Sequence, residues 1–379
     1  MDRPGFRIRR LDASLRIFAA SAVLWLLGWG SLDAQGNRHP DPRFVDQSIP
    51  PPHRVRLSGP LSLLPIALGQ PPIATLGVMD GPEGQVFGSV TAATLFGDSL
   101  VVVVDGSANE LRLFTLAGQF LGRVGREGRG PGEFKTPTAL AVSPEGELWV
   151  ADLQRTIQVF VPVPGGYRHE RTILLPVGVR SMCFLGAELF LNGISIGDSA
   201  VIRAVDANGQ IRRSFGAVYS SPNPTINYQI GGGYLACDRD AGLVIFAPAN
   251  MIGEVRAYQP DGQLAWRTVV DRYQSNFVTD TRDGYRVELS PEGLHTLQAL
   301  VSIPGIGLLV QWGYATLDEV RAQVPYGRIF TALLDPRTGR AALSAESWSR
   351  VTDATPSHAL VVMEEDFPRI LVYRLRRDR

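Results

Sequence analysis

The chain has 379 residues and a formal net charge of zero at pH 7; 45% of its residues are hydrophobic and 20% are charged. These values are typical of a globular protein and give no support for nucleic-acid binding, which needs a basic surface. Forty glycines and 27 prolines are spread along the chain and indicate many turns, and therefore many short strands.

Residues 1–34 are predicted to form a secretory signal peptide. An apolar run at 17–27 follows five arginines, and Ala34 supplies a small residue for cleavage. The run is short for a membrane span, so we expect cleavage rather than an uncleaved anchor. Because Leu32 is not the small residue expected before the cut, the cleavage position stays open. The signal predicts a secreted or periplasmic protein with no membrane span after cleavage.

Residues 35–71 are predicted to form an extended, Pro-rich linker. Nine prolines lie from Pro40 to Pro72, and the apolar residues among them follow no sustained period. Such a segment is not expected to form a packed element of its own, but it can lie against a folded domain. We place that folded domain at residues 72–379.

The folded domain begins with an apolar strand at 73–78. A Gly-Pro loop and the aromatic Phe87 follow it. The same order recurs where a strand at 120–125 leads through a Gly-Pro loop to Phe134. The match indicates that the strand at 73–78 occupies the position of an outermost strand.

Apolar strand pairs recur along the rest of the chain. Asp105 and Asp152 stand 47 residues apart (152 − 105) at matching positions, within the roughly 40 to 50 residues of a propeller repeat. Polar hairpin turns follow several of the second strands. The six predicted pairs are 100–104 with 111–116, 148–151 with 157–161, 188–191 with 201–205, 243–246 with 255–258, 308–312 with 329–334, and 360–363 with 370–375.

The second repeat carries the most informative motif. Gly130-Pro131-Gly132-Glu133-Phe134 leads to an apolar strand at 140–142, and a Ser-Pro-Glu-Gly turn then connects to strands at 148–152 and 157–160. In this run the chain resembles an NHL repeat. The resemblance implies a β-propeller, commonly six-bladed, in a family composed mainly of binding scaffolds, with a few lyases and hydrolases among related propellers.

We therefore predict an all-β fold, a six-bladed β-propeller of four-stranded antiparallel blades. The sixth strand pair ends so near Arg379 that no outermost strand can follow it, whereas the strand at 73–78 is spare. We expect the ring to close by adding this N-terminal strand to the last blade. Such closure would also cover strand edges that could otherwise pair with other chains.

Two long segments flank the predicted fifth blade. Residues 271–293 precede its first strand, and residues 314–327 have Leu317, Val320, Arg321 and Val324 at helical spacing. Long loops on a rigid scaffold often carry binding sites. A loop that only caps the ring is the equal alternative.

The two cysteines, Cys183 and Cys237, fall at corresponding points of two neighbouring innermost strands. Strands of neighbouring blades diverge, and a disulfide needs close Cα atoms, so we expect two buried free thiols, with a disulfide as the alternative. None of the five histidines has metal-ligand spacing, and no cofactor motif is found.

Polar side chains at strand ends could converge on a central channel and hold a divalent metal, as in calcium-dependent propeller lactonases. The candidates are Asp105, Asp152, Asn192, Asp238 and Asp240. Their recurrence at matched positions favours capping of tight turns, because an asymmetric metal site would not repeat in each blade.

The Gly-rich connection between blades one and two contains three arginines, Arg123, Arg126 and Arg129. They could bind an anion at the rim of the ring. Glu127 and Glu133 interleave with them, which favours an ordinary solvated loop.

The predicted function is an exported, non-enzymatic binding scaffold for a protein, peptide or glycan partner, acting as a monomer without a cofactor. This hypothesis depends on the NHL resemblance and on the lack of a recognisable catalytic set. The alternative is a metal-dependent propeller hydrolase or lyase with its site in the central channel.

Overall fold

A computed structural model gives the architecture of the protein. It describes residues 52–193, 195, 198–218, 228, 230–281, 284–288, 290–322 and 327–377. The predicted signal peptide and the first part of the predicted linker lie outside these residues. In the described part of the chain, no helix is long and apolar enough to cross a membrane.

Four short strands precede six antiparallel sheets, each built largely from consecutive strands. The first four are β1 (His53–Arg56), β2 (Leu61–Ser62), β3 (Ile66–Leu68) and β4 (Ala74–Leu76). Blade one contains β5 (Val90–Phe96), β6 (Leu100–Asp105), β7 (Glu110–Thr115) and β8 (Phe120–Val124). The short pair β9 (Arg126–Glu127) and β10 (Glu133–Phe134) follows, and blade two contains β11 (Pro137–Val142), β12 (Leu148–Asp152), β13 (Thr156–Val163) and β14 (Gly166–Leu174).

The remaining blades repeat this order. Blade three contains β15 (Ser181–Leu185), β16 (Glu188–Asn192), β17 (Ala200–Val205) and β18 (Ile211–Ala217), and blade four contains β19 (Gly233–Asp238), β20 (Leu243–Pro248), β21 (Glu254–Tyr258) and β22 (Leu264–Asp271). The hairpin β23 (Phe277–Thr281) and β24 (Gly284–Glu288) comes next. Blade five contains β25 (Leu294–Ile303), β26 (Gly307–Ala315), the helix α1 (Leu317–Arg321), β27 (Arg328–Leu334) and β28 (Ala341–Ser344), and blade six contains β29 (Val351–Ala354), β30 (His358–Met363) and β31 (Arg369–Arg377).

The six sheets form a closed ring. The first strands of the blades contact one another in order, from β5 through β11, β15, β19 and β25 to β29, and β29 contacts β5. Buried apolar side chains of the described residues form six clusters, one at each seam between consecutive blades. Each sheet thus hides both faces against its neighbours, which is why second strands such as β6 are apolar on both sides. The predicted six-bladed propeller with four-stranded antiparallel blades is confirmed.

Blade six is completed by strands from the N-terminus. The last strand, β31, pairs antiparallel with β4 at Ile370 to Val372 and with β3 at Leu375 to Arg377. Leu76 of β4 is only 1% exposed and belongs to the cluster between blades six and one. The pairing of β4 agrees with the predicted closure by an N-terminal strand.

From β1 to β4 the chain runs along the outside of the ring, and we call these residues, 53–76, the N-terminal belt. Strand β1 pairs parallel with β22 of blade four, and β2 pairs parallel with β28 of blade five. Val55 and Leu57 are buried at the seam between these two blades. Part of the predicted linker therefore lies against the propeller as extended strands.

Because the strands of a blade alternate in direction, the connections fall on two opposite faces. Connections between blades, and those between second and third strands, lie on one face, which we call the loop face. The other connections lie on the turn face, where the longest, 335–340, has six residues. Every connection longer than six residues is on the loop face: 77–89, 125–136, 193–199, 218–232, 272–293 and 316–327.

Candidate binding face

The loop face of blades three to five carries four of the six connections that are longer than six residues. The two longest connections, 218–232 and 272–293, flank blade four, while 193–199 and 316–327 belong to blades three and five. Both segments singled out from the sequence lie here. The first contains the hairpin of β23 and β24, and the second contains α1. A ring with tight turns on one side thus carries its long connections on the other, and long connections on a rigid scaffold often carry binding sites.

The helix α1 begins with a capping box. The side chain of Thr316 accepts a hydrogen bond from the backbone of Glu319, whose carboxylate in turn accepts one from the backbone of Thr316. The helical spacing predicted from the sequence is confirmed over Leu317–Arg321. Val324 lies outside the described residues.

An aromatic corner surrounds His295 where the connection from blade four meets blade five. The centroid of its ring lies 5.2 Å from that of Tyr273, 4.9 Å from that of Tyr314 and 6.2 Å from that of Phe330. The backbone N–H of Gln274 donates to Nδ1 of His295 at 2.9 Å, so the neutral ring carries its proton on Nε2. Burial lowers the pKa of His295, which keeps the imidazole uncharged at neutral pH.

This corner fixes both ends of the connection 272–293. The backbone N–H of His295 donates to the carbonyl of Gln274 at 2.8 Å. Near the other end, the hydroxyl of Tyr314 donates to the carbonyl of Glu292 at 2.7 Å. The connection therefore rises from a rigid base on blade five.

The loop 193–199 is held in a similar way on blade three. Arg203 is buried, and its Nη2 lies 2.6 Å from Oδ2 of Asp198. The other nitrogen, Nη1, donates to the carbonyl of Gly193. Asp198 is half-buried whereas Arg203 is buried, so loss of Asp198 would leave the Arg203 guanidinium buried without its carboxylate partner.

Asn192, one of the candidate metal ligands, uses its side chain to hold the start of blade four. Its Nδ2 donates to the carbonyls of Val201 at 2.8 Å and Gly231 at 3.0 Å. Its Oδ1 accepts from the N–H of Gly233 at 2.9 Å. All of these partners belong to the protein backbone, so Asn192 links blade three to blade four.

Asp105 and Asp152 cap the turns at the ends of β6 and β12, as the sequence favoured. Each carboxylate binds backbone N–H groups of the preceding interblade connection and of the turn that follows its strand. For Asp105 the donors, at 3.0 to 3.2 Å, are Gly88, Ser89, Ser107 and Ala108. For Asp152 the donors, at 2.7 to 2.9 Å, are Lys135, Thr136 and Gln154.

Asp238 and Asp240 lie on the turn face, at the opposite end of the ring from Asp105 and Asp152. Asp238 accepts from the N–H of Ala241 at 2.7 Å and the hydroxyl of Ser302 at 2.8 Å. The five candidate side chains therefore do not converge on one site. No group of three or more His, Cys, Asp or Glu side chains among the described residues is placed to hold a metal ion.

The three arginines of the rim lie in or beside the connection from blade one to blade two. Nη1 of Arg123 is 3.3 Å from Oε1 of Glu83, and this hydrogen bond raises the pKa of Arg123. Nη2 of Arg126 is 2.8 Å from Oε1 of Glu133. Arg129 is exposed. Anion binding by this set stays a prediction.

The expectation of two free thiols is wrong. Cys183 of β15 and Cys237 of β19 form a disulfide, and their Cα atoms are 5.7 Å apart. Neighbouring blades diverge towards the outside of the ring, but their innermost strands are in contact near its axis. The bridge therefore joins blades three and four where they are nearest to each other.

Comparison with known proteins shows the fold. No protein-family model matches the chain, and no curated protein matches it. A protein from Bacteroides fragilis that is named as exported is similar in structure, with a TM-score of 0.56 and 11% identity, covering 86% of this chain and 99% of its own. A member of the DUF4221 family from Bacteroides vulgatus has a TM-score of 0.56 and 8% identity, covering 83% and 99%. The common property is the propeller.

A further similarity, to virginiamycin B lyase from Staphylococcus aureus, has a TM-score of 0.45 and 13% identity, covering 82% of this chain and 99% of the lyase. This similarity is too low to bear on activity.

The aromatic corner of this propeller was not predicted from the sequence. Its members come from four separate parts of the chain: Tyr273, His295, Tyr314 and Phe330. The available signal was the presence of tyrosines at or beside both segments that flank blade five. The pairing of β25 with β26 brings Tyr314 beside His295, and the hydrogen bonds between Gln274 and His295 bring Tyr273 there.

Proposed function

We propose that this protein is an exported, non-enzymatic propeller scaffold that binds a protein, peptide or glycan partner with its loop face. The observation that carries the proposal is the placement of every connection longer than six residues on that face. Between the strands that the structure describes, the turn face has only tight turns of up to six residues, and binding sites are more often built on longer loops. In this proposal the protein acts as a monomer and needs no cofactor.

Three observations support export. Residues 1–34 have the pattern of a secretory signal peptide. The bridge between Cys183 and Cys237 is typical of proteins that fold in an oxidising compartment. A structurally similar protein from Bacteroides fragilis is named as exported. We propose a periplasmic or secreted location.

We also propose that the blades are of the NHL type. The motif at 130–134 includes β10, and its apolar runs fall on β11, β12 and β13 of blade two. The spacing of the motif thus corresponds to the strands of one blade, from the connection to the third strand.

A charge swap on α1 tests the use of the loop face. Asp318 and Arg321 form an exposed pair there, with side chains 96% and 65% exposed. The variant D318R/R321D reverses the surface charges while it keeps the opposite-charge spacing. We expect it to recover several-fold less of the partner that the wild-type protein captures from the envelope fraction, because a few residues dominate most interfaces.

The matched control is R168E/E170R, on the outer strand β14 of blade two, where the pair is also exposed. This variant should capture the partner like the wild type. Equal losses in both variants, or no loss in the α1 variant, would contradict the proposed face.

Metal analysis distinguishes the alternative of a metal-dependent hydrolase or lyase. Stoichiometric Ca²⁺ or Zn²⁺ in the purified protein, together with a higher unfolding midpoint when that metal is added, would favour the enzyme. The scaffold proposal expects neither result.

A further inference from the structure

A basic groove lies on the turn-face side of the seam between blades four and five, far from the loop face. It has a volume of about 280 Å³, near the lower limit of small-molecule pockets. The lining residues are His53, Ala265, Trp266, Arg267, Arg337, Thr338 and Arg340. They come from the N-terminal belt, from β22 of blade four and from the connection 335–340 of blade five.

The walls of this groove are fixed. The indole Nε1 of Trp266 donates to the carbonyl of Pro336 at 2.8 Å, and the hydroxyl of Thr268 donates to the carbonyl of Gly339 at 2.5 Å. Gly339 has a φ of 73° and packs so tightly on the indole that a Cβ there would lie 2.4 Å from Cε3. The connection 335–340 is thus held against blade four, and the groove exists before any ligand arrives.

No carboxylate is among the seven lining residues of the groove. Of its three arginines, Arg267 lies 3.9 Å from the carboxylate of Glu254 outside the groove. Nη2 of Arg337 donates to the backbone carbonyl of Asp240 at 3.2 Å, which orients the guanidinium without cancelling its charge. In the part of the chain that the structure describes, neither Arg337 nor Arg340 has an ion-pair partner.

Some exposed arginines of this protein are paired and others are not: Arg213 has Glu188 at 2.6 Å and Arg126 has Glu133 at 2.8 Å. The feature that distinguishes Arg337 and Arg340 is that both line the same groove. Two exposed guanidinium groups beside a preformed cavity point to a ligand that brings its own negative charge. The planar fork of a guanidinium is suited to two oxygens of a phosphate or sulfate group.

We propose that this groove is an oxyanion site, which binds a phosphate or sulfate group through Arg337 and Arg340. The site is separate from the loop face, so the inference goes beyond the proposed function. The anion comes either free or as the ester group of a sugar, for which Ala265 and Thr338 provide the adjoining wall.

Equilibrium dialysis with labelled inorganic phosphate tests the site in the whole protein, with chloride at matched ionic strength as the reference. We expect saturable binding of one phosphate per chain and competition by sulfate. The variants R337Q and R340Q should each weaken binding at least about tenfold, since each removes a charge-assisted hydrogen bond. The control R168Q removes an exposed arginine of blade two and should bind like the wild type.

A second arm identifies the source of the anion. Tighter binding of glucose 6-phosphate than of inorganic phosphate, with none of glucose, assigns the groove to a sugar ester; equal binding of the two phosphates assigns it to the free anion. The proposal is overturned if the wild-type protein shows no saturable binding of phosphate or sulfate, or if R337Q and R340Q bind as it does.

Discussion

Buried charges act as structural clamps in this protein. Asp105 is completely buried, and besides four backbone N–H groups it has Nη2 of Arg112 at 3.0 Å. Arg112 also contacts Glu110 at 2.9 Å, and blade four repeats this pair with Glu254 and Arg256 at 2.8 Å. Removing one partner of such a buried ion pair strongly destabilises the fold, because the other charge stays buried without compensation.

Asp105 and Asp152 form a matched pair for measuring this cost. The variant D105A removes a turn cap and also leaves Arg112 buried without this carboxylate, so we expect a loss of about 3–5 kcal/mol in the free energy of unfolding. In blade two, Gln158 occupies the position of Arg112, and D152A removes only hydrogen bonds, for an expected loss of about 1–3 kcal/mol. Urea unfolding of both variants checks the order, and a larger loss for D152A would contradict it.

The seam between blades six and one contains a carboxylate that titrates unusually. Asp353 of β29 accepts from the hydroxyl of Thr94 at 2.6 Å and from the N–H of Leu95 at 2.8 Å. Burial raises the pKa of Asp353, although these hydrogen bonds oppose the shift. The folded protein therefore holds the proton more tightly than the unfolded chain does.

This shift predicts how stability depends on pH. The contribution of Asp353 to the free energy of unfolding should fall as the pH rises from about 4, the pKa of an unfolded-state Asp, through the higher pKa of the folded state. Above that pH the contribution should stay constant. The variant D353N cannot titrate, so the wild type should lose stability relative to D353N across that window. Denaturation at a series of pH values checks this, and a difference that is independent of pH would count against it.

At the level of elements, the disulfide adds a covalent link between two blades that are otherwise held by packing and by hydrogen bonds such as those of Asn192. Cys183 and Cys237 are 54 residues apart in sequence, and a closed loop of that length stabilises the fold by about 4 kcal/mol in the chain-entropy description. We expect C183S/C237S to lose a large part of that amount. Reductant should lower the unfolding midpoint of the wild type and leave that of the variant unchanged.

Thiol labelling gives an independent check of the bridge. The denatured, unreduced protein should take up no alkylating reagent, and reduction should expose two thiols. Two labels without reduction would show that the cysteines are free.

The strands of the blades and β4 could be predicted from the sequence, whereas the first three strands of the belt could not. Second strands such as β6 and β12 are buried on both faces, so their apolar runs are visible in the sequence. Strands β1, β2 and β3 have two to four residues each and pair with edges more than 200 residues away. Strands this short show no recognisable alternation of apolar and polar residues. Their pairing partners become neighbours only when the ring has formed.

The place of the long connections was predictable from the sequence, but their contacts were not. The lengths of 271–293 and 314–327 pointed to two long segments that flank blade five, and the structure places both on the loop face. The contacts of His295 depend on the pairing of β25 with β26 and on the path of the connection from blade four. These contacts join distant parts of the sequence, so no pattern of neighbouring residues could predict them.

At the scale of the whole molecule, the ring depends on the seam where its two ends meet. Every other seam joins blades that are consecutive in the chain, whereas this seam joins the last blade to the first, and β4 of the N-terminal belt is added to it. Asp98 of blade one accepts hydrogen bonds across this seam from the hydroxyl of Ser357, at 2.9 Å, and lies 3.0 Å from Nδ1 of His358. The loop face is a single rigid platform only if this seam is closed.

Hydrogen–deuterium exchange of β4 tests that closure most directly. Strand β4 is only three residues long, but it pairs with β31 and buries Leu76 at the seam. The amide of Ile73, just before β4, donates to the carbonyl of Val372 of β31 at 2.8 Å, and we expect it to exchange as slowly as the amides of β30, through the same global opening. If it exchanges at the rate of an unstructured chain while β30 stays protected, the N-terminal strand does not close the ring.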